Sequence, residues 1–436
     1  MRTRDYEAGV NGRESLRIPF RTVNVRGLEL LINPDRFRRS MEEMARVGAT
    51  KGGGVNRLTL TDADKQARDL FAAWVSDAGL ELQIDEMGNM FARRAGREDE
   101  APPSMAGSHL DSVPNGGRFD GSLGVLAALE VVRTLNDKNV STRRPIEIVN
   151  WTNEEGPRFP PSMLGSGVFA GAIALDTAYE MKDANGARFL DELERIGYRG
   201  DAPCAPRPIG SYLELHIEQG PALVSEGVQV GVVEGIFGLT WLRVTMRGER
   251  DHAGPTPMHM RRDALVGAAR TIAAIREIPG KLHPEFVATV GEFSLSPNAI
   301  NVIPDDVTFS VDFRHNDPEL LTEARRLIEE AARREAEREN LEVEIQDVGG
   351  STPTAFDESV AQVIRNVSEE AGYSHRPMWS AAGHDARYAA DLGPTAMIFV
   401  PCVAGKSHSE EEDMDWEDAC RGCDVLARAL WKMADS

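Results

Sequence analysis

From Ser104 onward the chain alternates short apolar runs with amphipathic helical patterns, and one block in the middle breaks the alternation. SMAGSHL reads as a buried strand, GSLGVLAALEVVRTL as a helix and PIEIVNWTN as the next strand. Such alternation predicts a largely parallel sheet covered by helices on both faces, because parallel neighbours need a crossover long enough to hold a helix. Near Gly238 the pattern changes. LTWLRVTMRGE, RDALVGAARTIAAIREI, FVATVGEFSL, DVTFSVDFRH, ELLTEARRLIEEAARREAEREN and LEVEIQDVG run strand, helix, strand, strand, helix, strand. That order is the split βαβ pattern, a compact α+β unit of its own. After Thr354 helix and strand resume, with TAMIFVP as another buried strand. The expected architecture is an α/β domain made of residues 35–237 and 356–436, with an α+β domain inserted at 238–355 and a polar extension at 1–34.

A length of 436 residues suits two domains. Asn33 before Pro34 and the run Thr61-Asp62-Ala63-Asp64 offer two helix starts, and LELQIDEMGNMFARRAG reads as a hairpin turning at Gly88. No apolar run approaches the roughly 18–20 residues that span a bilayer. MRTRDYEAGVNGRESLR lacks the apolar core of a secretory signal, so a cytoplasmic location is expected. The 70 acidic residues outnumber 49 basic ones, for a net charge of −21, which argues against nucleic acid or anionic membrane as partners. The scarcity of Lys suits a salty cytoplasm and a GC-rich genome equally. Cys420-Arg-Gly-Cys423 has metal-like spacing, but it lies in the helical pattern DWEDACRGCDVLARALWK without a second pair, so buried helix cysteines are expected. Gly52-Gly53-Gly54 is followed by no GK[ST] and reads as an active-site or surface loop.

Five residues of ligand type stand at strand ends or in tight loops: His109 in GSHLDS, Asp120 in GGRFDG, Glu155 in TNEEG, His216 in LELHIEQG and His408 in KSHSEEE. Three imidazoles and two carboxylates can hold two metal ions. Asp111 lies two residues beyond His109, on the same side of an extended segment, and can orient that imidazole. Asp120 follows a glycine-rich turn and opens a helix, a position that also suits an N-cap. Glu154 and Glu155 are adjacent at a strand end and point in different directions. One can therefore bind metal while the other faces an attacking water as general base. Taken singly, each residue has an ordinary structural explanation. Together, on one edge of a parallel sheet, they stand where α/β enzymes place their chemistry.

GSHLDSVPNGGRFDG, TNEEG, MLGSGVFAG, LELHIEQGP, DHAGPTPM, NVIP, DFR, AGHDA and SHSEEE, in this order from about residue 35 to the end, resemble the hydantoinase/carbamoylase amidohydrolases. That family is a branch of the dinuclear-zinc aminoacylase and peptidase superfamily. The resemblance implies a zinc-peptidase-like catalytic domain with a ferredoxin-like lid and dimerisation domain inserted in it. It implies two divalent ions per subunit (Zn, or Mn, Co or Ni) held by His109, Asp120, Glu155, His216 and His408, with Asp120 bridging and Glu154 as general base. His252 would reach across a homodimer to stabilise the oxyanion, and Arg314 would clamp the substrate carboxylate. Gln219 and Asn301 would hold the ureido end, with backbone contacts from the loop Ala382-Gly383-His384. Read alone, Arg314 pairs with Asp312 or Asp317 at the surface, His252 is a loop histidine, and His384 is as readily structural as substrate-binding. SAAGHDA and PPSML depart slightly from the family's forms and alter small residues near the pocket, while every expected ligand is present.

The resemblance implies hydrolysis of the carbamoyl or ureido C–N bond of a small carboxylate substrate, an N-carbamoyl-L-amino acid first of all. Allantoate and β-ureidopropionate are the alternatives on the same machinery. A ureido-acid or metal-binding protein without catalysis is the remote alternative, and the presence of Glu154 argues against it.

Overall fold

A computed structural model describes residues 32–436, so most of the polar extension expected at 1–34 lies outside the described residues. In chain order the first strands are β1 (Glu81–Ile84), β2 (Met90–Arg94), β3 (Ser104–His109), β4 (Ile146–Trp151), β5 (Ser211–Ile217) and β6 (Val230–Ile236). Next come β7 (Gly238–Arg247), β8 (Asp251–His252), β9 (Val287–Thr289), β10 (Phe293–Ser296), β11 (Val302–Ile303), β12 (Asp306–His315) and β13 (Glu342–Ser351). The last are β14 (Thr354–Ala355), β15 (His375–Ser380) and β16 (Thr395–Val400).

The larger sheet runs β1-β2-β4-β3-β5-β16-β6-β14, with β15 also on β6. Its centre, β4-β3-β5-β16, is parallel, and antiparallel pairs flank it on both sides. All four central strands are buried along their length, as a sheet covered on both faces requires. The helix Ser122–Asp137, rich in Leu, Val and Ala, packs against β3, β4 and β5, and the helix Trp416–Asp435 packs on it in turn. Cys420 and Cys423 are buried in that second helix and form no disulfide. Asn33 and Thr61 cap the helices Pro34–Met44 and Asp62–Asp77 by accepting from Arg36 N and Asp64 N. One continuous apolar core includes Phe37, Leu213 and Leu430, so segments from both ends of the chain close it together.

The smaller sheet has the order β10-β12-β7-β13, with β9 also on β12, and all of its pairs are antiparallel. Along β12, Val307, Phe309, Val311 and Phe313 are buried, while Thr308, Ser310, Asp312 and Arg314 face the other side half-exposed. The buried row packs under the helices Ala264–Glu277 and Pro318–Arg338 in a second, separate core. FVATVGEFSL, expected as one strand, is divided into β9 and β10. Thr289 pairs with Asp312 and Phe293 with Phe309, which leaves three residues opposite two. That one-residue bulge carries Gly291 at its centre, and the ladder is locally broken there.

Candidate metal centre

The carboxyl ends of the four central strands supply the site. His109 is the last residue of β3, and His216 the penultimate residue of β5. Glu154 and Glu155 lie just past β4, and His408 lies in the loop after β16. Asp120 stands ahead of the helix Ser122–Asp137, whose N-cap is Gly121 rather than Asp120. Its carboxylate is therefore free of capping duty. Gly121 adopts φ 65°, and a β-carbon there would collide with the His109 ring, so glycine is needed on both counts. Asn153, Gln219 and His408, beside or within the cluster, also take left-handed backbone (φ 60°, 57° and 53°).

Asp120 joins two groups of donors. Its Oδ1 lies 3.6 Å from His109 Nε2 and 3.1 Å from His216 Nε2. Its Oδ2 lies 3.4 Å from His408 Nε2, and that nitrogen is 3.3 Å from Glu155 Oε2. His109, Asp120 and His216 can thus converge on one ion, and Asp120, Glu155 and His408 on another. Glu154 Oε2 stands 3.5 Å from His109 Nε2. His109 Nδ1 faces the Asp111 carbonyl at 3.0 Å and His216 Nδ1 the Ile217 carbonyl at 2.9 Å. A carbonyl can only accept, so each Nδ1 carries a proton and each Nε2 faces the centre.

The charge balance fits bound cations. Asp111, Asp120, Glu154, Glu155 and Glu412 are crowded together, and among the described residues none pairs with a Lys or Arg side chain. Burial, reinforced by neighbouring carboxylates, holds the carboxyls of Glu154 and Glu155 well above the usual range. Burial would raise Asp120 too, but the imidazoles of His109 and His216 outweigh it and hold that group well below. His109 is likewise held well above the ordinary histidine value, because Glu154, Asp120 and Asp111 outweigh its burial. The Gln219 Oε1 atom, buried beside Asp120, has no partner among the described residues. Imidazoles and carboxylates converging without a compensating cation are the donor set that a borderline divalent metal takes.

A family model, peptidase family M20/M25/M40, matches residues 105–432, which span all five of these residues. The chain belongs to that family. Within M20 it falls in the hydantoinase/carbamoylase branch. It is 46% identical over 404 residues to an N-carbamoyl-L-amino-acid amidohydrolase of Rhizobium meliloti, covering 93% of this chain and 97% of that one. It is 33% identical to the allantoate amidohydrolase of Escherichia coli K12, covering 91% and 98%. The crystal structure of a hydantoinase/carbamoylase family amidase from Burkholderia multivorans is 47% identical, with a TM-score of 0.90, covering 93% and 99%.

The remaining predicted residues of this M20 chain divide into those the fold gathers and those it keeps apart. Asp111 is buried under His109, but its carboxylate is 3.8 Å from Nδ1, too long for a hydrogen bond. Instead it accepts from Glu154 N and Glu155 N at 3.3 Å each, so it ties the two glutamates to the His109 loop. Gln219 Nε2 donates to Asp120 Oδ2 at 2.8 Å. His384 is buried edge-on against His216, with its Nε2 3.0 Å from Ser380 Oγ, and burial holds it well below the usual histidine value. Gly383 lies beside Met163. Arg314 makes a forked pair with Asp312 (2.9 and 2.7 Å), as its surface reading expected, and also donates to Ala381 O at 2.9 Å. It therefore spans the smaller sheet and the loop that leads to His384.

His252 and Asn301 are exposed on the β8–β11 ribbon, where His252 pairs with Val302 and Ala253 N donates to Asn301 O. Among the described residues no hydrogen bond, ion pair or ring contact joins either to the five-residue cluster. Two supporting residues escaped the sequence reading. Arg57, fully buried, bonds Ser122 Oγ at 2.8 Å, and its backbone exchanges bonds with Ser112, which fastens the His109 loop to the helix after Asp120. Glu412 accepts from Phe119 N and Asp120 N. Its signal was the acidic run SEEE, which resembles a solvated tail.

Proposed function

We propose that this chain is a cytoplasmic, metal-dependent amidohydrolase that cleaves the carbamoyl C–N bond of an N-carbamoyl-L-amino acid. The observation that carries this reading is Asp120 standing between two donor groups with Glu154 alongside, in a chain so similar to a carbamoylase. His109, His216, Asp120, Glu155 and His408 would hold two divalent ions, Zn or else Mn, Co or Ni, and those ions would supply Lewis acidity toward water and the carbonyl oxygen.

Glu154 takes the water proton as the water oxygen bonds to the carbamoyl carbon. It then delivers that proton to the departing nitrogen. The amino acid leaves, and the carbamic acid left behind breaks its remaining C–N bond to give ammonia and carbon dioxide. Arg314 holds the substrate carboxylate in a bidentate geometry, for which it must exchange Asp312 for the ligand. Gln219, Asn301 and the Gly383–His384 loop orient the ureido group. The inserted unit, residues 238–355, serves as lid and dimerisation domain between segments 35–237 and 356–436. The exposure of His252 supports its delivery to the active site of a second copy, where it stabilises the oxyanion.

A second reading, allantoate hydrolysis, draws support from the E. coli relative. Ammonia release is measured with metal-loaded protein on N-carbamoyl-L-methionine and on allantoate, beside a chelator-treated control. Preference for the carbamoyl amino acid is expected. Preference for allantoate selects the second reading, and release that survives chelation refutes both.

A further inference from the structure

We propose that Glu412 is a positioning residue that holds Asp120 and His408 in register, its buried carboxylate tying the backbone at Asp120 to the loop that carries His408. The proposal rests on the ligand assignment above and adds a residue to which no role has been given.

His408 is the ligand that the core does least to hold. Its side chain is 54% exposed, against 1–4% for those of His109, His216 and Asp120, and its backbone is left-handed. A fixed Nε2 on such a loop needs an anchor. Glu412 is only 4% exposed. Its Oε1 accepts from Phe119 N at 2.9 Å and from Asp120 N at 3.1 Å, and among the described residues these two N–H groups have no other acceptor. Its Oε2 accepts from Ser407 Oγ at 2.9 Å, and the same hydroxyl lies 3.1 Å from Asp120 Oδ2. One carboxylate therefore holds the peptide of one proposed ligand and the neighbour of the other. Without it two buried N–H groups would lose their partner, and the Asp120–His408 spacing would be free to drift.

A second, independent feature points the same way. A β-carbon on Gly117 would occupy the space of the Glu412 carboxylate, so the glycine turn before Asp120 is shaped around this acid. Two residues earlier in the same loop, Glu410 bonds the Thr50 hydroxyl, and a β-carbon on Gly52 would collide with its carboxylate. The segment is thus pinned on two sides, and Glu412 is the pin that reaches a ligand.

The test is Co2+ affinity by competition with a chromophoric chelator, together with the visible spectrum of the Co2+-loaded protein. Wild type is compared with Glu412→Ala, Glu412→Gln, Gly117→Ala and Asp120→Ala. Glu412→Ala is expected to weaken Co2+ binding by about 10–100-fold and to alter the spectrum, with the far-ultraviolet circular dichroism of the metal-free protein unchanged. Glu412→Gln should recover part of the affinity, since its amide oxygen still accepts from both N–H groups. Gly117→Ala should reproduce the defect with Glu412 intact, and it decides the matter alone should Glu412→Ala fail to fold. Wild-type affinity and spectrum in Glu412→Ala and Gly117→Ala overturn the proposal and leave the ligand assignment standing. So does a loss of metal-free stability with the spectrum unchanged. Wild-type affinity in Asp120→Ala overturns the ligand assignment, and this proposal with it.

Discussion

The cluster at the sheet edge and the β8–β11 ribbon both carry polar residues suited to catalysis, yet they are built in opposite ways. In the cluster every imbedded donor is held from behind: His109 and His216 by backbone carbonyls, the Glu154–Glu155 pair by Asp111, and Asp120 by Gln219. The ribbon has two residues per strand, its His252 is exposed, and so are the apolar side chains of Met258, Met260 and Ile300 in the flanking segments. Arg261 braces it through the carbonyls of Ala253 and Thr256. The cluster is organised by its own hydrogen bonds, whereas the ribbon presents its groups outward. Preorganised groups lose most when their chemistry is removed, and presented groups lose most when their partner is absent.

Glu154→Gln should give the largest effect, a fall in kcat of about 10²–10⁴-fold with metal content unchanged by elemental analysis. Activity near wild type would remove Glu154 from the mechanism. His252→Ala should cost roughly 10²-fold in kcat while leaving metal affinity intact, since among the described residues no hydrogen bond, ion pair or ring contact joins it to the cluster. Mixing the two variants sharpens the contrast: in the proposed dimer, mixed pairs would bring an intact His252 to an intact Glu154, and activity should return. No recovery in verified mixed dimers would mean that each chain completes its own site. Arg314→Lys should raise KM by about tenfold with little change in kcat, as a point charge replaces a fork. An equal fall in kcat would place Arg314 nearer the reacting atoms.

The smallest effect lies outside both regions, at the start of the smaller sheet beside Gly238. His315, the last residue of β12, pairs with Gly238, stacks on Phe286 and lies 3.1 Å from His283. Burial, and after it His283, hold His315 below the usual histidine value. The unfolded chain then takes up its proton first. The contribution is complete above about pH 6.5, the ordinary value, and is lost as pH falls through it. The urea midpoint should therefore decline on acidification, and His315→Asn should remove part of that decline. An unchanged pH dependence in the variant would assign the decline to other groups.

Most of the cluster was legible in the chain because strand periodicity exposes it. In LELHIEQG the polar residues alternate with buried Leu and Ile, and in GSHLDS the histidine ends an apolar run. The β-α-β-β-α-β block was legible for the same reason. Where periodicity fails, so does the reading. The bulge at Gly291 has no signature distinct from an ordinary strand glycine. Glu412 sits among consecutive acids that differ only in which one happens to meet Gly117 and the Asp120 peptide, a fact of tertiary packing. The role of Asp111 was visible as proximity to His109, but the backbone donors that its carboxylate accepts from, Glu154 N and Glu155 N, lie more than forty residues away in sequence.

The uneven exposure of the donors has a consequence for handling the protein. If Asp120 is shared by two ions, the one that also relies on His408 faces solvent, and the other is enclosed by His109 and His216. Chelator or dilution would reach the outer ion first, and the inner ion would leave only afterwards. Preparations would then carry anything between one and two equivalents of metal according to their history. Specific activity would follow that ratio rather than protein concentration.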